Sequence, residues 1–147
     1  MVMRGLYLVL LSLFVASAAA QEAKTPVFRV ALKISGDAAI ASEIEECLRQ
    51  ELGALKNVEI SESTPDYTIN VIAMTIENKA QAPMGIALTW LSLYHPKGFF
   101  KECCLVEDYR LLALEKEDLR SNCQKLVARF DQKSLEPHRK IFLKGKT

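Results

Sequence analysis

The sequence predicts an α+β domain: a mainly antiparallel sheet of four to five strands with two amphipathic helices packed on one face, in the order β-α-β-β-β-β-α. Three observations predict it. Residues 66–76 and 85–94 are long runs rich in β-branched and aromatic side chains, joined by a polar connector holding Asn78, Lys79, Gln81 and Pro83, the pattern of an antiparallel pair. In each run the apolar residues fill one side almost completely and intrude on the other, so one face of the sheet needs a large cover and the other is only partly wetted. The third observation is that one amphipathic helix precedes the pair and another follows it, which supplies the cover.

Taken in order, the first strand starts at Val27, where Phe28, Val30, Leu32 and Ile34 alternate with Val27, Arg29, Ala31 and Lys33. Ser35-Gly36-Asp37 breaks it, and Asp37 or a neighbour is placed to cap the helix that follows. That helix runs to about Leu55 on a stripe of Ile40, Ile44, Cys47, Leu48, Leu52 and Leu55, with Glu43, Glu45, Glu46, Arg49, Gln50 and Glu51 on its wet side. Asn57 ends it, residues 58–61 form a short strand, and Ser63-Thr64-Pro65 turns the chain into the central pair. A helix linking the first two strands permits a right-handed parallel crossover. His95-Pro96-Lys97-Gly98 is a loop, and residues 106–114 read as a further strand. The second helix begins near Lys116, where Glu115, Glu117 and Asp118 suit the positive end of its dipole. Its core stripe is Leu119, Cys123, Leu126, Val127 and Phe130; residues 131–136 continue it with a shift, and Pro137 ends the pattern or begins a kinked extension.

The chain opens with a single positive charge at Arg4, an apolar run over residues 5–15 and a small-residue ending at Ala18-Ala19-Ala20, the pattern of a secretory signal peptide cleaved after Ala20. The expected organisation is a signal peptide over 1–20, a short leader over 21–26, a single α+β domain over 27–136 and a basic tail over 137–147. The expected location is the periplasm or extracellular space, with no stable membrane span after cleavage. Removing the leader leaves 18 basic and 18 acidic residues. A neutral chain lacks the basic excess that displaces counterions from phosphates, so nucleic acid is not an expected partner. The basic tail of Arg139, Lys140, Lys144 and Lys146, next to His138, is expected to be a solvated terminus.

All four cysteines, Cys47, Cys103, Cys104 and Cys123, lie in the exported part, where disulfides are the default. Cys47 and Cys123 fall on the apolar stripes of the two helices, which converge on one sheet face, and a bridge between them is the preferred pairing; buried free thiols are the alternative. Adjacent Cys103 and Cys104 could form a strained, redox-labile bond, or one of them could reach a helix. The spacing of cysteines and of His95 and His138 does not suit zinc, so no metal and no cofactor is expected. The sequence has no Cys-x-x-Cys, Gly-rich phosphate loop or Gly-x-Ser-x-Gly elbow, and no catalytic residue is expected.

The stretches Phe28-Arg-Val-Ala-Leu-Lys-Ile34, Cys47-Leu-Arg-Gln-Glu-Leu52 and Asp66-Tyr67 leading a long strand resemble the small α/β modules of bacterial envelope proteins, the N-terminal domain of TolB and the periplasmic domain of LpoB. The ending, Leu119-Arg-Ser-Asn-Cys123 to Phe130-Asp131 with Leu135-Glu-Pro137, looks like that of small exported bacterial proteins without an assigned function. The resemblance implies protein–protein interaction within the envelope and carries over no binding residue. The expectation is therefore a non-catalytic protein-binding or adaptor module with an envelope protein as partner. Phe99 and Phe100, adjacent aromatics in a Pro/Gly loop, are the candidate binding anchors. The competing expectation is a small-ligand-binding or thiol-redox protein using the Cys103-Cys104 loop.

Overall fold

The computed structural model describes residues 26–97 and 104–144. The first strand, β1 (Phe28–Gly36), leads into helix α1 (Ala38–Gly53), which carries the chain back so that the short strand β2 (Val58–Ile60) can lie beside β1 in parallel. After the turn, β3 (Tyr67–Glu77) takes the other side of β1, again parallel, with Val30 opposite Tyr67 and Ile34 opposite Val71. The strands β4 (Pro83–Tyr94) and β5 (Leu105–Leu114) then add outward in antiparallel register. The resulting sheet has the order β2-β1-β3-β4-β5. The α+β class and the order of elements are those the sequence predicts. The pairing is mixed, parallel around β1 and antiparallel from β3 outward, because the connection through α1 returns the chain to the end where β1 began.

Two devices fix the sharp exit from β1. Gly36 adopts φ of 119°, and a Cβ there would stand 1.8 Å from the carbonyl oxygen of Ala73, so the close approach of β1 to β3 requires glycine. Asp37 then behaves differently from the expected helix cap: it stands at the N-cap position, yet its side chain makes no capping bond. Its carboxylate instead accepts the Thr75 amide at 2.6 Å, while its own amide donates to Ala73. The helix start is tied to the sheet and not to itself, and the Thr75 amide holds the Asp37 carboxyl below its ordinary value.

Helix α1 buries Ile44, Leu48 and Leu52, and it ends at Gly53, short of the predicted Leu55; Asn57 follows in the left-handed conformation. After a one-turn 3₁₀ segment at Lys116–Asp118, α2 (Leu119–Phe130) buries all five residues of its predicted stripe. Both helices lie over the same face of the sheet, where Val30, Leu32, Ile69, Val71, Leu88 and Trp90 complete the core. At its centre Phe130 meets Tyr67 edge-on at 5.3 Å and Trp90 at 6.3 Å, the arrangement aromatic quadrupoles favour.

The tail is a correction. Residues 137–147 were expected to be a solvated basic terminus, but α2 passes through a π-helical turn at Asp131–Leu135 into a third helix, α3 (Glu136–Lys144). The Glu136 amide donates to the Asp131 carbonyl five residues back. This wider turn separates the Pro137 ring from the carbonyl it would strike in an α-helix, so the shift expected after Phe130 is one extra residue in the turn and the proline is accommodated. Arg139 then fastens α3 down, donating to Asp131 at 2.6 Å and to the Lys56 carbonyl at 2.9 Å.

Candidate functional surface

Among the described residues, the helices cover one face of the sheet and leave the other bare. Side chains alternate along a strand, so the residues between the core positions of β3, β4 and β5 all point to the uncovered side. On β3 these are Thr68, buried where His95 meets it, Asn70, Ile72, Met74 and Ile76; on β4, Ala87, Thr89, Leu91 and Leu93; on β5, Val106, Tyr109, Leu111 and Ala113. Exposure is high where no neighbour shields them: Ile72 is 48% exposed, Met74 56%, Tyr109 57%, Val106 64% and Leu111 69%. The register brings Leu111 opposite Thr89, itself opposite Ile72, and Tyr109 opposite Leu91. The result is a flat apolar area spanning three strands, of the kind that marks an interaction surface. It adjoins the outer edge of β5, where the sheet of the described residues ends and, among those residues, backbone groups have no strand to pair with.

The end of the sheet where β4 hands over to β5 is built from polar fastenings. Asp66 is buried and fully engaged: its carboxylate accepts the Arg29 amide at 2.9 Å and meets Lys97 Nζ at 2.8 Å, while its carbonyl accepts the His95 amide. His95 Nε2 lies 2.7 Å from the Thr68 hydroxyl. Tyr67, fully buried, donates its hydroxyl to the Ser134 carbonyl at 3.2 Å and touches His138 Nδ1; the His138 ring stacks on Tyr94 with centroids 4.5 Å apart. Burial, reinforced by the charge of Glu107, lifts the Tyr67 phenol far above its ordinary value and keeps it protonated. Glu107 is the extra residue of a β-bulge, since Ser92 pairs with Asp108 and Leu93 with Val106. With its ring sealed in the core, Tyr67 serves as an anchor for α3. Neither histidine is free, a fact the sequence did not convey because, apart from the Ser134 carbonyl one helical turn back, the partners of His138 are 71 and 44 residues away in the chain.

Along β5 the helix side is latched by Asp108, whose two carboxylate oxygens accept Arg129 Nε at 2.7 Å and Nη2 at 3.1 Å. The guanidinium holds the Asp108 carboxyl below its usual value, and Asp108 raises Arg129 in turn. At the opposite end of the sheet an open cleft of about 580 Å³ lies between Ile40 of α1, the start of β4 at Pro83 and Met84, and Glu115 to Glu117. Its polar side chains are the half-buried Thr75 and the exposed Glu115, Lys116 and Glu117. At the far end of α3, Ile141, Phe142 and Leu143 are also exposed.

The expected anchors Phe99 and Phe100, and Cys103, lie outside the described residues. Cys104 is an exposed free thiol; Cys47 and Cys123 are free as well, so the preferred bridge between them is not formed in this structure, with Cys123 buried and Cys47 at the helix margin. The two helix cysteines do share one site, as their stripes imply: burial raises the Cys123 thiol, and hydrogen bonding with the Cys47 thiol raises it further. Among the described residues no three His, Cys, Asp or Glu side chains converge as metal ligands, and no helix is long and apolar enough to cross a membrane.

The fold and this surface define a class: a small α+β domain whose mixed sheet is covered by helices on one face and bare on the other. No family model and no curated protein matches the chain. Among solved structures, it is similar to a crystal structure of a Xanthomonas campestris protein of the DUF330 family model, with a TM-score of 0.55 and 10% identity over 79% of this chain and 92% of that one. At that identity the likeness is one of fold.

Proposed function

We propose that the protein is a non-catalytic binding module of the bacterial cell envelope, exported by cleavage of residues 1–20. Its occupant is an extended apolar segment of an envelope protein, which pairs with the outer edge of β5 and extends the uncovered apolar face with its alternate side chains beside those of β5. The observation that carries this is the uncovered apolar area of β3, β4 and β5, contiguous with an unpaired strand edge. A strand suits it: backbone pairing along β5 supplies affinity, and side chains two residues apart meet Leu111 and Tyr109 on one side. The central residues of the face are uncharged, so the recognised segment is apolar and not polyanionic. The resemblance to envelope interaction modules and the bacterial source of the structural relative agree with this choice of partner.

The test is chemical cross-linking in the producing cell, with the wild-type chain beside a Val106→Lys, Leu111→Lys variant. The expected result is one envelope protein captured by the wild type and lost with the variant, followed by protection of β5 amides from hydrogen exchange in the reconstituted complex. Capture unaffected by the two lysines would overturn the proposal. So would a wild-type homodimer in sedimentation that the lysines dissociate, since the occupant would then be a second copy.

A further inference from the structure

We propose that Cys47 and Cys123 form a disulfide site joining α1 to α2, oxidised by a donor disulfide of the kind an oxidising compartment maintains. The two residues belong to one packed cluster, with Cys123 fully buried and Cys47 at its half-exposed margin. Their helices are held together next to the pair by two side-chain hydrogen bonds: Arg120 donates to Gln50 and Gln124 donates to Glu51, each at 3.3 Å. Cys47 also lines a surface hollow of about 190 Å³ together with Glu43, Glu46, Gln50, Leu119 and Arg120. One sulfur therefore faces solvent and its neighbour lies behind it. That is the division of labour thiol–disulfide exchange requires.

The exchange proceeds in two displacements. The Cys47 thiol loses its proton and attacks one sulfur of the donor; the donor S–S bond breaks and one donor thiolate leaves, giving a mixed disulfide on Cys47. Cys123 then loses its proton and attacks the Cys47 sulfur, which breaks the mixed disulfide and releases the second donor thiolate. The two protein thiols surrender two electrons, the donor is reduced to two thiols, and the two protons end on those thiols. The approaching donor reaches Cys47 alone, because Cys123 is covered by the helices. The bond closes the loop that contains β2, β3, β4 and β5, and it constrains the unfolded chain accordingly.

The site stands apart from whatever β5 binds, so the two proposals fail separately. The experiment uses the full mature chain carrying Cys103→Ser and Cys104→Ser, which leaves one possible pair, and oxidised glutathione as the donor. The expected outcome is loss of both titratable thiols, a Cys47–Cys123 linked peptide in tandem mass spectrometry, and a Tm higher by about 10 °C that reductant reverses. With Cys123→Ser added, a stable glutathione adduct should accumulate on Cys47; with Cys47→Ser added, Cys123 should remain unmodified in the folded chain. Two alkylatable thiols persisting in excess oxidised glutathione, with the fold intact by circular dichroism, would overturn the site. So would modification of Cys123 in preference to Cys47.

Discussion

The two faces of the sheet are made of the same strands and of comparably apolar residues, yet only one of them is needed to build the fold. On the covered face Val30, Ile69, Val71, Leu88 and Trp90 are sealed by α1 and α2. One residue along each strand, Ile72, Met74, Tyr109 and Leu111 stand in solvent. Folding gains from burial, and the second set contributes little of it, so its apolar character is not accounted for by the stability of this chain alone. The covered face specifies the domain; the bare face is where selection for association is to be sought.

The comparison is sharpened most by Trp90→Ala. This side chain is fully buried and packs against Phe130, so its removal should cost about 3–5 kcal/mol, read as a shift of the urea midpoint at unchanged slope. A loss below about 1 kcal/mol would mean that the helices do not depend on this face as described.

Much of that covered face was legible in the sequence. The stripes of α1 and α2 follow from three- and four-residue spacing, and Leu119, Cys123, Leu126, Val127 and Phe130 are all buried as that spacing requires. The shift after Phe130 was legible too, although its form as a π-turn was not, since the spacing marks an extra residue without saying how the backbone absorbs it. What escaped depends on distant partners. Arg139 and His138 look like members of a basic tail until Asp131, Lys56 and Tyr67 are brought to them by tertiary packing. Asp37 reads as a helix cap because Ser-Gly-Asp before a helix is a local signal; the Thr75 amide that outcompetes the helix comes from β3. The bare face was half legible. Alternation marked the intruding apolar residues, but whether a third layer would cover them depends on how many helices pack on which side.

A smaller effect is expected at the rim of the covered face, where Asp108 and Arg129 latch β5 to α2. Arg129→Ala should lower the urea midpoint slightly at neutral pH, far less than Trp90→Ala does, as expected of a well-oriented but partly exposed bidentate pair. The folded-state carboxyl of Asp108 is depressed below 3.8, so the latch contributes fully above about pH 3.8 and is lost as pH falls through the lowered value. Urea titrations of wild type and variant should thus converge in acid. A difference that stays constant to the lowest pH at which both fold would assign the effect of Arg129 to packing of its stem and not to charge.

The smallest effect on stability belongs to the bare face, and its smallness is what would separate the two faces. Leu111 points away from the helices and is 69% exposed, so Leu111→Lys buries no charge and opens no cavity. Its cost should lie within about 0.5 kcal/mol in either direction. The same change places an ammonium in the middle of the apolar area opposite Thr89 and beside the β5 edge, where a lysine both repels apolar contact and discourages strand pairing. Complex formation with the captured envelope protein should fall at least tenfold while the urea midpoint hardly moves. If the midpoint fell by the equivalent of several kcal/mol instead, the face would be part of the core, and its apolar residues would need no partner to explain them.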